Sequence, residues 1–143
     1  MMKIGVVTQT DPATCRVRVR LDAQQDIESY WLPVLQKKTL RDKQYWMPDL
    51  TEHVVCLMDE HNEFGVVLGS IYSQPDPVPV ASQDKYHVLF DDGTTLEYDR
   101  QAHVLSIDLT AAAGTIRLRS GSSQIELKPG HLLLVADRID RNP

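Results

Sequence analysis

An all-β chain in two units is what this sequence predicts, on three observations. Apolar residues recur at period two in short β-branched runs and almost nowhere at the helical period. Glycine, proline and short polar clusters break those runs at close intervals. One segment, Ser73-Gln74-Pro75-Asp76-Pro77-Val78-Pro79, sets three prolines at alternate positions and divides two regions of different pattern. In 143 residues, 42% hydrophobic and 24% charged, there is room for one ordinary domain or two very small ones.

The first region, residues 1–73, reads as about five strands. Lys3 to Thr8 is a β-branched run closed by the turn Thr10-Asp11-Pro12, and Cys15 to Leu21 alternates strictly, with Cys15, Val17, Val19 and Leu21 on one face. Together they predict a hairpin whose arginines, Arg16, Arg18 and Arg20, form its solvated side. A polar stretch runs from Asp22 to Ser29. Tyr30 to Leu35 is expected as a strand in which Pro33 forces an edge or bulge. Lys37 to Lys43 is a basic loop, and Tyr45-Trp46-Met47-Pro48 repeats the aromatic-to-proline pattern of Tyr30-Trp31-Leu32-Pro33. His53 to Met58 and Phe64 to Tyr72 complete the set around the hydrophilic tip Asp59 to Glu63, and Gly65 and Gly69 mark a bulge or tight barrel corner. Five short strands in some seventy residues suit a small closed barrel of the OB type, with both tryptophans expected inside it. Residues 74–85 are the linker.

Residues 86–143 form a ladder of short alternating segments separated by turns such as Asp91-Asp92-Gly93 and Lys128-Pro129-Gly130. Leu96, Leu105, Ile116, Ile125 and Leu134 recur every nine to eleven residues, as in a meander or a β-solenoid. Each strand has one apolar face, while Glu97, Ser106, Asp108, Arg117, Arg119 and Glu126 lie on the other, and no helix or second sheet is available as cover. At ~25 cal/mol per Å² of buried apolar surface, one copy does not offset ~1–2 kcal/mol of backbone entropy per ordered residue. Three copies around a threefold axis bury all these faces inward. The expected trimer core is Leu96, Tyr98, Leu105, Ile107, Leu109, Ile116, Leu118, Ile125, Leu127 and Leu134.

Other functions find little support. No apolar run approaches the ~18 residues of a membrane-spanning helix, and the N-terminus has no signal-peptide h-region, so a chain without a leader in a reducing cytoplasm is expected, with Cys15 and Cys56 as free thiols. A net charge of −5 and a pI near 5.4 argue against general nucleic-acid binding. The histidines, His53, His61, His87, His103 and His131, show no metal-ligand spacing, and no P-loop, dinucleotide fingerprint or nucleophile elbow occurs. No catalytic residue, cofactor or metal is expected.

The run Trp46-Met47-Pro48-Asp49-Leu50-Thr51-Glu52-His53-Val54-Val55, then Gly65-Val66-Val67-Leu68-Gly69, the proline linker and the ladder together resemble the phage baseplate assembly protein V family, similar in plan to type VI secretion spike proteins. Asp92-Gly93-Thr94-Thr95-Leu96-Glu97-Tyr98-Asp99 resembles the opening of that family's intertwined trimeric β-helix. The resemblance implies an OB barrel followed by a β-helical spike. It also implies a non-enzymatic homotrimer under a baseplate hub protein, assembled in the host bacterial cytoplasm, carried in the virion tail and driven through the host outer membrane on sheath contraction. Family spikes often end in an iron-holding His-x-His apex. The residues Asp137 to Pro143 carry none, so a PAAR-type tip protein is expected to cap the spike. The rival reading is an OB nucleic-acid module with a trimerisation stalk, motivated by the arginine strand and the Lys37 to Lys43 loop.

Overall fold

Strand β1 (Met2–Asp11) is the spine of the N-terminal unit, because it pairs antiparallel with both β2 (Arg16–Leu21) and β4 (His53–Met58). The computed structural model describes residues 1–21 and 27–142, so the polar stretch expected from Asp22 lies outside the described residues as far as residue 26. With β3 (Leu32–Pro33) and β5 (Gly65–Ser70) the strands form one sheet in the order β3-β2-β1-β4-β5. Its edges approach each other: Val34 bridges Val67, and the Leu35 amide donates to the Val67 carbonyl at 2.9 Å. The sheet is therefore a nearly closed barrel, and closure removes most of the unpaired edge.

Alternation fills the barrel. Val17, Val19 and Leu21 of β2 meet Val7, Val54, Cys56, Met58 and Val67 inside it, and Leu32 seals it from β3. Burial pushes the Cys56 thiol up to about 11, which makes it a small apolar filler rather than a nucleophile. Two bulges curve the sheet. One leaves Thr8 unpaired between the Val7–Val19 and Gln9–Arg18 registers, and the other leaves Leu68 unpaired beside Gly69. At Gly5 a Cβ would meet the Val19 side chain and lie 2.7 Å from the Arg20 carbonyl oxygen, so only glycine fits there.

Two expectations need correction. Trp31 and Trp46 are not barrel core, being 38% and 61% exposed. The interior of the five-stranded ring is filled by aliphatic and sulfur side chains, Val7, Val17, Val19, Leu21, Leu32, Val54, Cys56, Met58 and Val67. The expected strand Tyr30 to Leu35 shrinks to Leu32–Pro33, since proline donates no amide to the ladder and the chain crosses to β5 immediately afterwards.

The chain divides between Pro77 and Val78. The C-terminal unit holds two three-stranded antiparallel sheets: β6 (Lys85–Leu89), β7 (Thr95–Asp99) and β8 (Val104–Asp108), then β9 (Ile116–Ser120), β10 (Ser123–Lys128) and β11 (His131–Val135). A 3₁₀ turn, Thr110–Ala112, separates them. Every pairing here is antiparallel, so within one chain the meander is the alternative that holds. The regular spacing is consequently mirrored rather than translated: Leu96 faces Ile107, not Leu105. Turn chemistry behaves as composition suggests. Asp92 Oδ1 accepts the Thr94 amide at 2.9 Å, and Gly93 takes φ +88°, a region side chains avoid.

Candidate assembly interface

Register sorts the C-terminal side chains into two kinds of face. In the first sheet Tyr86, Tyr98 and Leu105 form one cross-strand row and Val88, Leu96 and Ile107 the next. In the second sheet the rows are Ile116, Leu127 and Leu132, then Leu118, Ile125 and Leu134. Partners across an antiparallel ladder project to the same side and residues two apart along a strand do likewise, so each sheet has one continuous aliphatic and aromatic face. Nine of the ten expected core residues fall on these faces. The tenth, Leu109, leads into the 3₁₀ turn, where a cleft lined by Ile107, Leu109, Ile116 and Leu127 joins the two faces. Beyond the last row, Ile139 lines the same groove as Leu118, Ile125 and Leu134. Tyr86, Val88 and Leu132 belong to the faces too. The cross-strand register, Tyr86 opposite Tyr98, Val88 opposite Leu96 and Leu132 opposite Leu127, shows which side they share.

The opposite faces carry internally paired charges, with Leu89 and Val104 on the first sheet and Leu133 and Val135 on the second as their apolar members. Glu126 accepts hydrogen bonds from Arg117 Nε at 3.0 Å and Gln124 Nε2 at 2.8 Å, and Lys128 Nζ stands 2.9 Å from its other oxygen. Arg119 in turn donates twice to Gln124 Oε1. On the first sheet Glu97 lies 3.0 Å from His87 and 3.4 Å from Lys85.

Burial is inverted relative to an ordinary domain. Leu118 is 62% exposed while Glu126 is 4% exposed, and among the described residues no apolar side chain of this unit is buried. An apolar surface on that scale, contiguous over six strands, marks an interaction surface.

Hydrogen bonding to Lys128, then to Arg117, holds the Glu126 carboxyl below its ordinary value of 4.5. A carboxylate whose folded value is depressed adds stability that is fully present above 4.5 and is lost as pH falls through the lower folded value. The Glu126→Gln variant is accordingly expected to show a flatter acid limb below pH 4.5 than the parent. Strand circular dichroism during acid titration measures this, and identical acid limbs would refute it.

In the barrel, Arg18 of β2 is drawn into local structure. Arg18 donates to the Ser29 carbonyl at 2.8 Å and lies 3.6 Å from Glu28, which also accepts from Thr8 and Gln9. Those hydrogen bonds, Thr8 first, lower the Glu28 carboxyl from its usual range.

Residues 3–72 match the family described as the type VI secretion system/phage-baseplate injector OB domain. Over 108 residues, 75% of this chain, the sequence is 30% identical to the spike protein of Escherichia phage P2. The chain spans half the length of that relative.

Proposed function

The chain belongs to the baseplate spike family through an injector OB domain at residues 3–72, and from that premise we propose that it is the central spike of a contractile phage tail or tailocin, a homotrimer that pierces the host outer membrane on sheath contraction. The observation that carries the proposal is the pair of continuous apolar faces whose side chains are exposed in one copy. Three copies wound about an axis turn those faces inward and leave the Glu126, Arg117 and Lys128 network and the Glu97 cluster outward in water. The six sheets of three copies become the walls of a prism whose outer side is predominantly polar, as suits a body that passes through a bilayer without staying in it. The force is mechanical, and the cross-strand ladders carry it with no bond made or cut. The expected partners are two further copies, a baseplate hub protein, a PAAR-type tip protein and, transiently, the outer membrane. The reading places the trimer in the virion tail after assembly in the host cytoplasm.

Light scattering on the full chain tests the core of this. Three times the 16.2 kDa of one chain is expected, and a monomer would sink the trimer and the spike together. The nucleic-acid alternative predicts salt-sensitive single-strand binding. Filter binding at low salt separates the two: a spike is expected to show no salt-sensitive single-strand affinity, and finding it would favour the nucleic-acid reading.

A further inference from the structure

The segment between β3 and β4 is an ordered, cationic projection. Gln36 closes its base with its side chain: Oε1 accepts the Trp46 amide at 3.1 Å and Nε2 donates to the Trp46 carbonyl at 3.2 Å, as a neighbouring strand would. Tyr45 Oη donates to the Pro12 carbonyl at 2.9 Å, and Lys38 and Lys43 donate to the Leu40 and Thr39 carbonyls, shaping the loop internally. Within it Lys37, Lys38, Arg41 and Lys43 stand against one carboxylate, Asp42, and all are exposed together with Leu40, Tyr45 and Trp46. A cationic, aromatic patch on an acidic protein is suited to a partner of opposite charge.

That partner chemistry exists on the same unit. The turn between β4 and β5 carries Asp59, Glu60 and Glu63, followed by exposed Phe64, whose ring stacks on Tyr30 at 5.2 Å. Asp59 accepts the Glu63 amide at 2.9 Å, which fixes the tip. Both patches thus have the same composition, exposed aromatics beside charge, with opposite sign. They cannot meet within one barrel. Met2 pairs with Leu57, so β1 begins at the acidic tip, and β1 ends at the Pro12 turn to which Tyr45 ties the loop. Ten residues of strand, about 30 Å, separate those ends.

We infer that, in the trimer proposed above and resting on that reading, the basic loop around Lys37 and Arg41 of one copy docks on the acidic tip around Glu60 and Glu63 of the next. Such a head-to-tail contact uses each patch once per copy, and it closes into a ring when the rotation between neighbours divides a full turn. The aromatic residues beside the charges supply the apolar centre of the contact.

Zero-length carbodiimide coupling, which joins lysine to a carboxylate in contact, tests it on full-length chains assembled from a mixture of isotope-labelled and unlabelled copies. Cross-linked peptides pairing a labelled with an unlabelled segment, Lys37, Lys38 or Lys43 to Glu60 or Glu63, are the expected result. They should vanish near 1 M salt, where the screening length is about 3 Å. The Lys37→Glu/Arg41→Glu variant should lose salt-sensitive loop-to-tip contact and regain it when combined with Glu60→Lys/Glu63→Lys. A trimer by mass without mixed loop-to-tip peptides overturns the inference and leaves the trimer standing, with the loop free for another protein. A monomer overturns both.

Discussion

Ile125→Asp is expected to leave the full chain at 16.2 kDa by light scattering, where the proposed trimer gives the parent three times that mass. Ile125 sits on β10, the central strand of its sheet, between Leu118 and Leu134. In the proposed trimer that row lies at the axis. A carboxylate placed there loses its water with no cation facing it, because Arg117, Lys128 and Arg119 all serve the opposite face. An unpaired buried charge costs several kcal/mol or drives protonation, and the threefold axis brings three of them together. In a lone chain the same aspartate is solvated and costs little, so the substitution discriminates assembly from folding. Ser122→Asp, on the exposed turn between β9 and β10, adds the same charge outside the row and is expected to leave the mass unchanged. An Ile125→Asp chain that keeps the parent mass would remove the apolar face from the interface.

How far the sequence could be read depended on whether a signal was local. Strand β2 was legible because Cys15 to Leu21 alternates without a break, and the structure buries Val17, Val19 and Leu21. The apolar faces were legible for the same reason. β3 was overestimated, since Tyr30 to Leu35 looks like a strand in composition, yet its length depends on where the barrel closes, a contact with Val67 more than thirty residues away. The tryptophans were misplaced because hydrophobicity says nothing of how wide an interior is. Glu126 gave no sign of being the most buried residue of its unit. It sits between Arg117 and Lys128, both ion-paired to it, and only the register of β9 on β10 brings Arg117 opposite. The loop-to-tip complementarity was half visible: both charge clusters stand in the sequence, but their separation to opposite ends of the barrel follows from the β1–β4 register.

A Leu32→Ala chain tests the other half of the molecule. Leu32 is wholly buried on a two-residue strand that pairs with β2 and leads directly to the bridge onto β5, so it plugs the barrel where the ring closes. Truncating a buried leucine costs about 2–5 kcal/mol, with the higher values where the surroundings cannot collapse. A seam held on both sides by backbone hydrogen bonds has little freedom to collapse. Trp31 and Trp46 both belong to the N-terminal unit, so intrinsic tryptophan fluorescence follows the barrel alone. The urea midpoint of that signal should fall with an unchanged slope. The C-terminal faces share no core residue with the barrel, and the mass under native conditions is therefore expected to stay that of three chains. A loss of trimer in the Leu32→Ala chain would mean that the barrels, and not the apolar faces of the ladder, hold the copies together.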